Sequence, residues 1–122
     1  MLTEKDWLMR IIDQLSQAII RVLQLRETED YEEAMEVLER LFVDDVRLPA
    51  FNWKLFDQRL PDYLGDEGDQ IALLRRIFVQ RAEIEWDRDH HHDAVRCEQV
   101  VEACNRRLEE MSWPDPFAEL DK

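Results

Sequence analysis

The residues best suited to chemistry are three consecutive histidines, His90, His91 and His92, in the stretch EWDRDHHHDAV at 85–95. Histidine and carboxylate side chains are common ligands of zinc. Successive side chains on a helix diverge by about 100°, so three adjacent histidines cannot hold one ion. A metal would need a spaced pair, such as Asp87 with His91 or Asp89 with His92, and further ligands from elsewhere. We therefore interpret the run as a turn and predict no metal site.

Other catalytic motifs are absent from the sequence. The only two glycines lie in GDEG at 65–68, so there is no Gly-rich phosphate loop, and neither HExxH nor CxxC occurs. Cys97 and Cys104 are seven residues apart on one predicted helix, which separates them by about 10 Å. That distance is too long for a disulfide and is typical of small buried thiols in a cytoplasmic protein. The sequence predicts no catalytic residue, no cofactor and no enzymatic activity.

Composition limits the fold and the partners. The chain has 122 residues, enough for one domain with a core, and its two glycines and four prolines indicate few turns and therefore mostly helix. A net charge of −13 disfavours nucleic acid and anionic lipid as partners and favours a basic peptide or protein.

Glu4, Lys5 and Asp6 interrupt the N-terminus where an export signal would begin, and no apolar run is long enough to span a membrane. We expect a cytoplasmic protein.

The periodicity of apolar residues predicts an all-α fold with four major helices and one short helix. The expected units are a first hairpin at about 3–43, an aromatic connector at 49–69, a second hairpin at about 70–111 and a tail at 112–122. Asp30 and Asp69 are predicted to cap the second and fourth helices, and the short helix is expected to end before Pro61. The fifth helix is expected to begin near His91 or His92.

The two hairpins repeat at a spacing of sixty residues. The shift places Val22 on Ala82 and Ala34 on Ala94, small residues that let antiparallel helices approach closely. The segment DYEEAMEVLERLF, with the twelve-residue spacing of Ala82 and Ala94, resembles the tetratricopeptide repeat. The whole chain also resembles a small bacterial family of unknown function, which implies such a fold and no known activity. The same shift places His91 on Tyr31 and predicts that His91 is partly buried, with His90 and His92 exposed.

Three regions are candidates for binding. The acidic second helix is either a solvated face or a docking surface for a cationic partner. The connector aromatics either plug the space between the hairpins or form a groove wall for a peptide or small ligand. The tail residues either fold back on the last helix or form a short binding motif. The residues concerned are Glu32, Glu33, Glu36 and Glu39; Phe51, Trp53, Phe56 and Tyr63; and Trp113, Pro114, Pro116 and Phe117.

The first helix is apolar over most of its circumference, so it is either the central helix of the fold or half of a dimer interface. We predict a homodimer through this helix. The predicted interface residues are Trp7, Leu8, Ile11, Ile12 and Ile19.

The function that the sequence favours is a protein-interaction module or adaptor that self-associates. The first alternative is a ligand- or metal-sensing protein that uses the connector aromatics or the histidine turn. The second alternative is an enzyme.

Overall fold

The computed structural model describes residues 4–121, and within them it contains five α-helices and no strand. The four major helices are α1 (Glu4–Glu27), α2 (Tyr31–Leu41), α4 (Gly68–Asp87) and α5 (His91–Glu110), and the short helix is α3 (Ala50–Lys54). A π-helical turn at Phe42–Val46 extends α2, and 3-10 turns occur at Leu60–Leu64 and Ala118–Asp121. The predicted all-α fold with four major helices and one short helix is confirmed. None of the described helices is long and apolar enough to cross a membrane.

The turns of the two hairpins have the same backbone geometry, sixty residues apart. Glu29 and Asp89 both have positive φ, 59° and 60°. The next residue's amide donates to a carbonyl five positions earlier, from Asp30 to Leu25 and from His90 to Glu85, both at 2.8 Å. A left-handed residue with this bond satisfies the last carbonyls of a helix without continuing it. The sequence repeat is therefore also a structural repeat.

Small residues hold each hairpin together. Ala34 and Ala94 are fully buried, and Val22 and Ala82 are buried on the preceding helices of their hairpins. Side chains of this size allow close approach of the antiparallel helices α1 and α2, and of α4 and α5, which pack against each other. The predicted hairpins α1–α2 and α4–α5 are both present.

Helix α4, not α1, is the central helix. It packs against α1, α2 and α5, and it is buried from Ile71 to Leu74 without interruption. Helix α1 packs mainly against α2 and, less extensively, against α4. The alternative in which α1 is the central helix was wrong, because α4 occupies that place. Helix α4 does so although it carries three buried charged residues. Those residues are Arg76, Arg81 and Glu85.

The beginning of α4 differs from the sequence prediction. The helix starts at Gly68, and its N-terminal flanking residue is Glu67, which makes no side-chain capping bond. Asp69, the predicted cap, instead accepts a hydrogen bond from the indole of Trp113 at 2.9 Å. An added Cβ at Gly68 would lie 2.2 Å from the Trp113 ring, so the tail packs here only because this residue has no side chain. The predicted cap at Asp69 was therefore wrong.

The tail folds back on the hairpins. Phe117 is fully buried, and Asp115 accepts a hydrogen bond from Arg76 of α4 at 2.6 Å. The alternative of a short binding motif would need Phe117 to be accessible. The folded-back interpretation of the tail is the one that the structure shows.

Candidate functional site

The histidine turn is solvent-exposed at all three positions. The His91 side chain is 66% exposed, and its ring packs against the half-exposed ring of Trp86, with centroids 5.1 Å apart. The prediction that His91 is partly buried was wrong, although the prediction for His90 and His92 is confirmed. The position in the repeat determines the backbone conformation at His91. The burial of its side chain also depends on the residue it packs against, which here is the exposed Trp86.

One histidine does join a cluster of metal-ligand types. Atoms of Glu85, His90 and Asp93 lie within 4.8 Å of one another, and His90 Nδ1 is 3.3 Å from the buried Glu85 carboxylate. The sequence suggested Asp87 with His91 or Asp89 with His92, and neither pair belongs to this cluster. A signal for it exists in the repeat, because Glu85 stands where Leu25 lies in the first hairpin, so a charged residue replaces a buried apolar one.

Arginines already compensate both carboxylates of this cluster. Asp93 lies 3.8 Å from Arg96, and Glu85 lies 4.0 Å from Arg88. The charge of Glu85 also acts on the buried Arg81. A divalent cation would have to enter beside these guanidinium groups, and like charges at this range repel each other. The arrangement therefore favours an ion-pair network over cation binding.

Arg81 lies inside the connector aromatics. Its guanidinium carbon is 4.0 Å from the ring centroid of Trp53 and 4.0 Å from that of Phe56, and Nη1 donates to the Trp53 carbonyl at 2.8 Å. Burial lowers the pKa of Arg81, but nearby carboxylates act in the opposite direction. Phe56 also contacts Phe78 of α4, with centroids 5.4 Å apart. Stacking on aromatic faces stabilises a desolvated guanidinium.

The four predicted aromatic residues of the connector do not act as one site. Trp53 and Phe56 are buried against α4 and plug the space between the hairpins. Phe51 and Tyr63 are strongly exposed. A groove wall formed by all four residues was therefore the wrong alternative, because two of the rings have no face open to a ligand.

Both cysteine thiols are held in the protonated form. Burial raises the pKa of Cys97 and of Cys104 to about 12 in each case. The thiolate is the form that attacks substrates and binds metals, and at neutral pH almost none of it is present at such a pKa. Both residues serve as small core side chains between α4 and α5.

The acidic residues of α2 point largely outward. Glu32, Glu33 and Glu36 are exposed, and Glu39 is partly buried. Glu33 pairs with Arg21 of α1 at 3.0 Å, with both side chains about half-exposed. The remaining carboxylates form a solvent-facing negative surface, as either interpretation of the sequence requires.

A cavity of about 340 Å³ lies between the start of α1 and the start of α4, with Trp7 and Trp113 among its lining residues. Glu67 and Asp69 contribute negative charge to it, and Arg47 contributes positive charge. Charges of both signs beside a helix N-terminus select neither a cation nor an anion, so the cavity has no single binding chemistry.

The outer face of α1 is apolar and uncovered. Met9, Ile20 and Leu23 are 62%, 55% and 44% exposed, whereas the opposite face of the same helix forms core. Together with the partly buried Ile12 and Ser16 they form one line along the helix. We call this line, Met9, Ile12, Ser16, Ile20 and Leu23, the outer stripe.

The outer stripe only partly coincides with the predicted dimer residues. Ile11 is fully buried and cannot contact another molecule, so its assignment to an interface was wrong. Trp7 and Leu8 are partly buried and pack against the core cluster, as do Ile12 and Ile19. Apolar residues spaced by three and four from Met9 to Leu23 indicated this surface in the sequence. The fold, however, determines which of the two apolar faces of α1 is buried.

Comparison with family models, with curated proteins and with solved structures finds no match to the chain.

Proposed function

We propose that the chain is a protein-interaction module that self-associates through the outer stripe of α1. The observation that supports this most strongly is the exposure of Met9, Ile20 and Leu23 in a line on a helix whose other face is already buried. Large apolar side chains scattered singly on a surface are ordinary, but aligned on one helix face they form a patch that a partner can cover. α1 is not the central helix, so burial inside the monomer does not account for its second apolar face.

The size of the outer stripe sets the expected strength of the association. From Met9 to Leu23 it is about 21 Å long, and a helix with its side chains is about 10 Å wide. This footprint is smaller than the roughly 800 Å² per partner of a standard stable interface. The chains also repel each other, since each carries a net charge of −13. We therefore expect a weak dimer with a dissociation constant in the micromolar range, strengthened by salt because salt screens the repulsion.

The acidic face of α2 suits a second, basic partner. Glu32 and Glu36 are exposed one helical turn apart, and the chain as a whole is strongly acidic. Positive peptides are attracted to such a surface by long-range electrostatics. In this proposal the dimer presents two copies of the acidic helix, which makes the protein an adaptor without catalytic activity.

Light scattering with matched variants tests the dimer. Leu23→Asp puts a charge into the outer stripe and should leave a monomer of 14.8 kDa at concentrations where the parent chain has twice that mass. Val95→Asp is the control, because Val95 lies on α5 and is 43% exposed, almost the same as Leu23. A parent chain that stays monomeric up to several hundred micromolar overturns the proposal, as does loss of the dimer in both variants.

A further inference from the structure

We infer that two copies pair through the outer stripe in antiparallel orientation, with a twofold axis passing at Ser16. This inference rests on the proposed function and adds the register, which is the set of residues that lie opposite each other in the two α1 helices. The residues of the outer stripe are spaced by three, four, four and three, so the pattern is the same from either end and is centred on Ser16. At 100° per residue, these five positions lie within about 80° of helix circumference.

The outer stripe lies on the side of α1 away from the buried face, and of its residues only Ile12 also packs against the core cluster. Ile11, Leu15, Ala18, Val22 and Leu25 form the buried face, and its centre is about 140° around the helix from the centre of the outer stripe. A second helix can therefore lie on this surface without displacing α2 or α4.

Antiparallel pairing about Ser16 matches large residues with large residues. Met9 of one copy lies opposite Leu23 of the other, and Ile12 lies opposite Ile20. Ser16 lies opposite itself at the axis, where its small side chain lets the two backbones come closest. A twofold interface of this kind is self-complementary and closed, so it produces a dimer rather than a filament.

The charges at the two ends of the outer stripe select the antiparallel orientation. Lys5 and Glu27 extend the same line by four residues at each end, and both are exposed. Within residues 4–121, neither forms an ion pair. Antiparallel pairing about Ser16 places Lys5 of one copy opposite Glu27 of the other at both ends. Parallel pairing would place lysine against lysine and glutamate against glutamate.

The helix dipoles favour the same antiparallel orientation as the charges of Lys5 and Glu27. In the antiparallel pair, the positive N-terminal end of each α1 lies beside the negative C-terminal end of the other. In a parallel pair, ends of like sign lie together. Exposed ion pairs add little affinity, but their sign distinguishes the two orientations.

Disulfide trapping of variants that each carry one added cysteine tests the register. The native cysteines do not interfere, because both are buried and their thiols stay protonated at neutral pH. A disulfide requires Cα atoms about 4.4–6.8 Å apart. Ser16→Cys should therefore form a covalent dimer under mild oxidation. Met9→Cys and Leu23→Cys should each remain uncrosslinked alone but form a mixed dimer when combined.

The outcomes separate the register from the proposed function. In the antiparallel dimer the two copies of Leu23 are about 21 Å apart along the helix axis, far outside disulfide range. Self-crosslinking of Leu23→Cys would show a parallel pair, and failure of the mixed sample to crosslink would also overturn the register. In both cases the proposed function stands if light scattering still shows a dimer that Leu23→Asp dissociates. Positions 9 and 23 are well exposed, so these variants are expected to keep the fold, which far-UV circular dichroism checks.

Discussion

Replacing Arg81 by methionine is expected to destabilise the protein strongly. The guanidinium is buried, with the residue 8% exposed, and stacks on Trp53 and Phe56 at 4.0 Å from each ring centroid. It also donates to the Trp53 carbonyl at 2.8 Å and lies in the field of the buried carboxylate of Glu85. Arg81→Met keeps much of the side-chain volume and removes every one of these electrostatic contacts.

The size of the effect follows from the separate contributions. A hydrogen bond from a charged donor contributes about 1.5–3 kcal/mol, and a desolvated cation–π contact about 2 kcal/mol. The cost of burying the guanidinium, several kcal/mol, disappears in the variant. Removing one partner of a buried charge pair nevertheless costs about 3–5 kcal/mol, and Glu85 then keeps only His90 at 3.3 Å and Arg88 at 4.0 Å. Since methionine preserves packing, we expect the low end of that range, about 3 kcal/mol.

A second substitution should restore stability. In the first hairpin the positions that correspond to Arg81 and Glu85 are Arg21 and Leu25, an exposed arginine and a buried leucine. Adding Glu85→Leu to Arg81→Met therefore gives the second hairpin the apolar residue that the first already has. The buried carboxylate that lost Arg81 is then removed as well, so the double variant should lie within about 1 kcal/mol of the parent chain.

Urea unfolding at pH 7, followed by circular dichroism, measures the effect. With a slope of about 1–3 kcal/mol per molar urea, a loss of about 3 kcal/mol lowers the midpoint by roughly 1–3 M. All variants must be compared at one protein concentration, because dimerisation would couple stability to concentration. Arg21→Met, at an exposed position, should change stability by less than about 0.5 kcal/mol. A loss below 1 kcal/mol for Arg81→Met, or no recovery in the double variant, would refute the argument.

Two further predictions concern the hairpin turns and the acidic helix. Glu29→Gly and Asp89→Gly each relieve the strain of a positive φ. They should stabilise the chain by about 1 and about 0.5 kcal/mol respectively, and the gain is smaller at Asp89 because aspartate tolerates this conformation better. Thermal unfolding that shows both variants to be destabilised would contradict the turn geometry. An oligolysine peptide, followed by fluorescence anisotropy, should lose affinity between 0.1 and 1 M salt. Glu32→Gln with Glu36→Gln should weaken binding more than an equal loss of charge at the end of α5, and equal effects would mean that net charge alone attracts the peptide.

The sequence predicts the helices and the hairpins because local patterns determine them. Asp30 caps α2 by accepting a hydrogen bond from the Glu33 amide, as its position before an apolar run indicates. The sixty-residue repeat predicts two equivalent turns, and the positive φ values of Glu29 and Asp89 confirm them. These features depend on a few neighbouring residues and need no knowledge of tertiary packing.

The sequence does not predict which helix lies at the centre. Helix α4 contains Arg76, Arg81 and Glu85, which give it the pattern of a helix with a polar face, yet all three are buried. Arg76 pairs with Asp115 of the tail, and Arg81 stacks on connector aromatics that are 25 or more residues distant in sequence. Partners at such separations cannot be assigned from periodicity. Helix α1, despite its wide apolar surface, lies beside the centre for the same reason.

The candidate interface is only half visible in the sequence. A helix with two apolar faces predicts that something covers each face, and the structure shows that the core covers the face of Ile11 and leaves the face of Met9 open. The resemblance to tetratricopeptide repeats, the basic partner and the cytoplasmic location stay predictions. The error at His91 is similar, because a shared backbone position does not guarantee a shared environment.

The most direct test of self-association through α1 is a dilution series followed by amide nuclear magnetic resonance. Spectra of the isotope-labelled chain are compared from about 10 µM to 1 mM at fixed salt and pH. We predict that the concentration-dependent shifts concentrate on α1 between Lys5 and Glu27, with the largest around Ser16, and that Leu23→Asp abolishes them. Spectra that do not change with concentration, or changes centred on the exposed aromatics Phe51 and Tyr63, would contradict it.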